Sequence, residues 1–148
     1  MDKMKAVIIT GAGRGLGEAV ARDLLSKGMC VVIADVHKVD INKYSNNSEF
    51  NSSDNLLSHQ VDVSNRVEVK EMFTSALKKF KHLDYLINFA GINRDAPFIE
   101  MTDADWDSVI SVHLKGTFIC CQEFVKYKSQ GNGHIINVSA ACGIQGRK

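Results

Sequence analysis

Four glycines fall within seven residues in the run Thr10-Gly11-Ala12-Gly13-Arg14-Gly15-Leu16-Gly17. Glycine lets a backbone approach a ligand closely. At the mouth of a helix, consecutive N–H groups and the positive end of the helix dipole can meet a pyrophosphate. The spacing is T-G-x-x-x-G-x-G. The G-x-G-x-x-G form does not fit, because its third glycine would fall at Leu16 counted from Gly11, or at Glu18 counted from Gly13. Further on, Asp35 closes a second apolar run, where a carboxylate can accept both ribose hydroxyl hydrogens and would repel a 2′-phosphate. Asp35 therefore favours NAD. Arg14 pulls the other way, since a guanidinium inside the turn could pair with a 2′-phosphate, so NADP stays open.

These residues need a strand, a tight turn and a helix to position them, and the flanking pattern supplies all three. Ala6 to Thr10 (AVIIT) is a short apolar run that suits a strand buried on both faces. Leu16, Val20, Ala21, Leu24 and Leu25 then recur at helical spacing before Gly28, which stands where a helix C-cap would. Cys30 to Ala34 forms a second strand run that ends at Asp35. Strand, turn, helix and strand together predict a parallel pair with a right-handed crossover.

Between Lys38 and Asn55 asparagine and serine dominate and the few apolar side chains show no consistent period, which reads as a mobile surface loop of about 38–55. The alternation resumes with a strand in the stretch Leu56 to Val63, a helix from Val67 to Phe80 and a strand from Leu83 to Asn88. Thr102-Asp103-Ala104-Asp105 resembles an N-cap. It opens a long helix on which Trp106, Val109, Ile110, Leu114, Phe118 and Cys121 share one side. Ile135 to Val138 supplies a fifth strand. The expected fold class is α/β, a Rossmann-type doubly wound parallel sheet of about five strands forming one dinucleotide-binding domain over residues 1–148.

Composition narrows the partners. Lys and Arg total 18 against 17 Asp and Glu, so no net field steers the chain towards nucleic acid or an anionic membrane. No apolar run reaches the roughly 18 residues of a membrane span. The opening MDKMK leads straight into a strand rather than a signal-peptide core, and a cytoplasmic protein is expected. Cys30, Cys120, Cys121 and Cys142 lack the paired spacing of a zinc site and read as reduced thiols, with no metal expected.

The T-G-x-x-x-G-x-G turn, followed by Val61-Asp62-Val63 and Asn88-Phe89-Ala90-Gly91, resembles the short-chain dehydrogenase/reductase family. The stretch from Ile92 to Phe98 and the helix after it look most like the 3-oxoacyl carrier-protein reductases and their sugar- and steroid-oxidising relatives. The resemblance implies a nicotinamide dinucleotide held by Thr10, Gly11, Gly13, Arg14, Gly15, Leu16, Gly17 and Asp35, with Asp62 and Val63 beside the adenine. It places Asn88, Ala90 and Gly91 along the cofactor, although a buried asparagine can also simply tie strands together. The reaction implied is hydride transfer between nicotinamide and a small carbonyl or secondary alcohol substrate.

The family's catalytic set is an asparagine, a serine, a tyrosine and a lysine. In this chain His113 stands in the asparagine slot and Ala140 in the serine slot, counted three residues back from Gly143. Ser139 is the neighbouring candidate, available only with a one-residue shift that would turn it to the other face of a strand. None of Tyr44, Tyr85 or Tyr127 has a lysine four residues later, and the family's spacing puts that pair just past Lys148. The 148 residues alone are therefore expected to be inactive. Three readings stand: an oxidoreductase of this family, a catalytically silent dinucleotide-binding subunit that serves as scaffold partner of a complete relative, or a remnant prone to misfolding. A homo-oligomer, or a hetero-oligomer with a relative, is expected in the first two.

Overall fold

A computed structural model describes residues 4–44, 52–128 and 133–141. Strand β1 (Ala6–Thr10) feeds the glycine turn and helix α1 (Gly15–Ser26), and β2 (Cys30–Asp35) follows. A single 3-10 turn (Ile41–Tyr44) and the short α2 (Ser52–Asn55) precede β3 (Leu56–Gln60). Helix α3 (Arg66–Phe80) leads to β4 (Tyr85–Asn88). Helices α4 (Asp103–Ile110) and α5 (Thr117–Tyr127), with a π-helical segment (Ser111–Gly116) between them, lead to β5 (His134–Asn137).

All strand pairs are parallel, in the order β3-β2-β1-β4-β5. The doubly wound α/β class expected from the alternation is the architecture observed. Parity explains the two layers. Ala6 and Ile8 of β1 and Val32 of β2 face α3 and α5, where Met72, Phe73 and Phe124 complete one core. Val7 and Ile9, one residue out of phase, face α1 and join Ala21, Leu25 and Ile33 in a second core. Both faces of β1 are thus buried, which is why its sequence is uninterrupted apolar rather than alternating.

The segment read as a loop over 38–55 differs from that expectation at its described ends. Val39 and Tyr44 are buried in the second core, and Tyr44 donates its hydroxyl to the Ala12 carbonyl at 3.1 Å. Between them Asp40, Ile41 and Asn42 are exposed and Lys43 is half-buried, so burial of two isolated side chains leaves no period to read. The part of that expectation covering residues 45–51 lies outside the described residues.

The long helix also differs. Thr102 caps it as expected, accepting the Asp105 N–H at 3.1 Å. Its middle, however, relaxes into π geometry where Gly116 crosses close to Val63: a Cβ on Gly116 would come within 2.7 Å of the valine side chain. Along β5 every residue is exposed.

Candidate functional site

Strand order reverses between β1 and β4, and beyond the C-terminal ends of these strands lies a cleft of about 870 Å³. This is where open α/β sheets bind ligands, and the volume is that of a small-molecule site. Its walls come from the glycine turn, the end of β2, the segment after β3, the segment after β4, the π segment and the residues after β5.

The glycines have separate reasons. Gly11 sits at φ +66°, and a Cβ there would fall 2.8 Å from the Ala90 backbone. It is glycine because two strand ends meet at it. A Cβ on Gly17 would run into the Gly11 carbonyl oxygen, and one on Gly13 would come 2.7 Å from the Asp35 carboxylate. Gly15, at φ +61°, would meet nothing within 4 Å, so the turn stands open there and its need is for the left-handed backbone itself. Thr10 is buried and accepts the Ala90 N–H through its hydroxyl at 3.3 Å, tying β1 to the start of the β4 loop. Arg14 and Leu16 are exposed on the cleft wall.

Asp35 accepts the Gly13 N–H on Oδ2 at 2.9 Å and the His37 N–H on Oδ1 at 3.0 Å. Each carboxylate oxygen has about two acceptor positions, so both keep capacity for ribose hydroxyls. Asp62 is anchored similarly. Its Oδ1 accepts both the N–H and the hydroxyl of Ser64 at 2.8 Å, its own N–H goes to Glu68, and it lines the cleft beside Val63. An open glycine turn flanked by two such carboxylates fits a dinucleotide: N–H donors for the phosphates, acceptors for ribose and adenine.

Asn88 is placed elsewhere. It is buried below the cleft and donates to Asn137 Oδ1 at 2.8 Å, joining β4 to β5, while Ala90 and Gly91 do line the cleft. The ring of His113 rests against Gly91, with Nε2 2.8 Å from the Ile92 carbonyl oxygen and 3.0 Å from the Ile92 N–H. Imidazole in either tautomer satisfies one of these partners, so its Nε2 is committed to backbone. Ser139 and Ala140 both line the cleft. Strand β5 ends at Asn137, so the strict alternation expected to turn Ser139 away does not extend to it.

Several cleft residues carry no sequence signal of their own, among them His37, Phe89 and Asn93, which owe their place to the strand they follow. Among the described residues no group of three or more His, Cys, Asp or Glu side chains stands close enough to hold a metal. Cys30 and Cys120 are buried free thiols, and burial pushes Cys120 up to about 12. Cys142 lies outside the described residues. No described helix is long and apolar enough to cross a membrane.

Residues 5–148 match the family model described as short chain dehydrogenase. The chain is 36% identical over 143 residues to the 3-oxoacyl-[acyl-carrier-protein] reductase FabG of Thermotoga maritima, covering 96% of this chain and 58% of the relative. It is 34% identical over 151 residues to a 3-oxoacyl-[acyl-carrier-protein] reductase of Synechocystis, with the same two coverages. Among solved structures it resembles a short chain dehydrogenase from Bacillus anthracis (TM-score 0.85, 31% identity, 98% of this chain and 59% of that one). A short-chain dehydrogenase/reductase described as glucose/ribitol dehydrogenase, from Brucella melitensis, shares the fold (TM-score 0.88, 24% identity, 98% and 61%). The chain thus spans about three-fifths of the length of the relatives it matches.

Proposed function

The chain belongs to the short-chain dehydrogenase family, and from that footing we propose that it is the dinucleotide-binding portion of a nicotinamide-dependent oxidoreductase acting on a small carbonyl or secondary alcohol. The observation that carries this is Asp35, which closes β2 and hydrogen-bonds the glycine turn at the lip of the cleft. Bound nicotinamide would supply or take the hydride. The chain's own residues would bind and orient it: the turn and α1 would take the pyrophosphate, Asp35 the adenosine ribose and Asp62 the adenine, with Ala90 and Gly91 as further cofactor contacts.

NAD is the favoured cofactor, because a buttressed Asp35 carboxylate opposes a 2′-phosphate, while the Arg14 guanidinium on the cleft wall favours NADP. The 3-oxoacyl reductases of Thermotoga and Synechocystis support an acyl-thioester ketone as the substrate class. The balanced charge supports a protein without a nucleic-acid or anionic-membrane partner.

A second reading, a dinucleotide-binding subunit without turnover, draws on the site itself. Ala140 has no side-chain group to hydrogen-bond a substrate oxygen, and His113 Nε2 is held by Ile92. Thermal unfolding with and without NADH tests what the two readings share. NADH at 100 times its dissociation constant should stabilise the fold by about 2.7 kcal/mol, and no shift at any concentration of either NADH or NADPH would refute both.

A further inference from the structure

Two successive carbonyls inside the glycine turn are held from behind. The Ala12 carbonyl accepts the Tyr44 hydroxyl at 3.1 Å, and the Gly13 carbonyl accepts the Lys43 ammonium at 2.8 Å. Both donors sit on the 3-10 turn after β2, and neither lines the cleft. No described peptide bond is cis, and in a trans peptide the C=O and N–H point in opposite directions. Fixing the Ala12 carbonyl on Tyr44 therefore turns the Gly13 N–H the other way, where Asp35 takes it at 2.9 Å. Fixing the Gly13 carbonyl on Lys43 likewise aims the Arg14 N–H away from the latch, and Arg14 itself lines the cleft.

The same lysine has a second task. Glu18 lies in the first turn of α1, at the helix end that should receive a pyrophosphate, and a free carboxylate there would oppose the ligand. Lys43 Nζ meets Glu18 Oε2 at 3.0 Å and Arg22 meets Oε1 at 2.8 Å. Arg22 also donates to the Lys43 carbonyl at 2.7 Å and lies 4.5 Å from the centroid of the Tyr44 ring. Hydrogen bonds from Arg22 and then from Lys43 hold the Glu18 carboxyl below its ordinary value.

We propose that Lys43 and Tyr44 are positioning residues for the dinucleotide: a latch that orients the peptide planes of the phosphate turn and neutralises Glu18 beneath it. The latch rests on the dinucleotide reading of the cleft. It gives a task to a segment whose composition signals only loop.

Calorimetric NADH titrations of the parent chain, Lys43→Met, Lys43→Arg and Tyr44→Phe test it, with ligand-free thermal midpoints recorded for each. Lys43→Met should weaken NADH roughly tenfold and Tyr44→Phe roughly threefold, the scale of single hydrogen bonds, charged and neutral. Lys43→Arg should recover most of the loss, and adding Glu18→Gln to Lys43→Met should recover part of it. Tyr44→Phe keeps the buried ring, so it reports even where Lys43→Met does not fold. Parent-like affinity in folded Lys43→Met and Tyr44→Phe would overturn the latch alone, as would a loss no larger than their unfolded fraction accounts for. A parent that binds neither NADH nor NADPH would overturn the dinucleotide reading, and the latch with it.

Discussion

The Gly13 N–H donates to Asp35 Oδ2 at 2.9 Å, so the residue expected to choose between cofactors is hydrogen-bonded to the turn expected to hold their phosphates. On the proposed reading, phosphate grip and ribose choice are therefore one unit. A change in the turn should be felt at Asp35 and the reverse.

Two glycine-to-alanine changes in this turn should behave differently, because the atoms they meet differ. At Gly17 the new methyl would meet the Gly11 backbone oxygen, which cannot move away, and a loss of about 1–3 kcal/mol is expected from overpacking. At Gly13 it would meet the Asp35 carboxylate, the far end of a side chain that can swing aside. Gly13→Ala should keep its thermal midpoint and lose cofactor discrimination. Equal midpoints for the two variants would contradict this packing account.

Alkaline pH should act through Tyr44. Burial first, and then the Glu18 charge, push its phenol up to about 12. The folded value lies above the ordinary one of about 10, so the folded state holds the proton more tightly. The contribution to stability is complete below about pH 10 and is lost as pH rises through about 12. Cys120, also raised to about 12, adds its own alkaline loss, but one that Tyr44→Phe leaves in place. Urea midpoints from pH 9 to 11.5 should therefore fall more steeply in the parent than in Tyr44→Phe, and parallel curves would refute the assignment.

Self-association is expected of a polypeptide of these 148 residues. Trp106, Leu114 and Phe118 are each more than half exposed on the α4–α5 side, and β5 is exposed along its length. A few hundred Å² of such surface at roughly 25 cal/mol per Å² rivals a domain's whole stability. Sedimentation should show dimers or larger species at micromolar concentration, and a cooperatively folding monomer would count against it.

On catalysis, no turnover with acetoacetyl thioesters, simple ketones or secondary alcohols is expected from these residues alone, since no tyrosine among them has a lysine four residues on. Loss of a positioned general acid removes about 10²- to 10⁴-fold by itself. Fusion to a relative's C-terminal half should restore little until Ala140→Ser and His113→Asn are added. Full activity without those changes would show that neither position limits the chemistry.

The centre of the sheet was legible because β1 and β2 are buried on both faces and the helices beside them carry a clear period; Ala6–Thr10 emerged with the bounds read from its composition. Thr102 likewise announced its helix. What could not be read depends on contacts between distant residues. The π segment arises where Gly116 passes Val63, a closeness no local pattern encodes. Tyr44 is buried against a turn 32 positions away, from within a stretch whose composition says loop. Asn88 carried two meanings in the sequence, and its bond to Asn137 gives the strand-tying one a geometric basis.

The most direct measurement is a paired calorimetric titration of NADH and NADPH into the parent chain, Asp35→Ala and Arg14→Ala. If the buttressed carboxylate sets the choice, the parent binds NADH at least tenfold more tightly, Asp35→Ala closes that gap, and Arg14→Ala leaves it open. Equal affinities in the parent, or tighter NADPH binding that collapses in Arg14→Ala, would contradict the central assignment of Asp35.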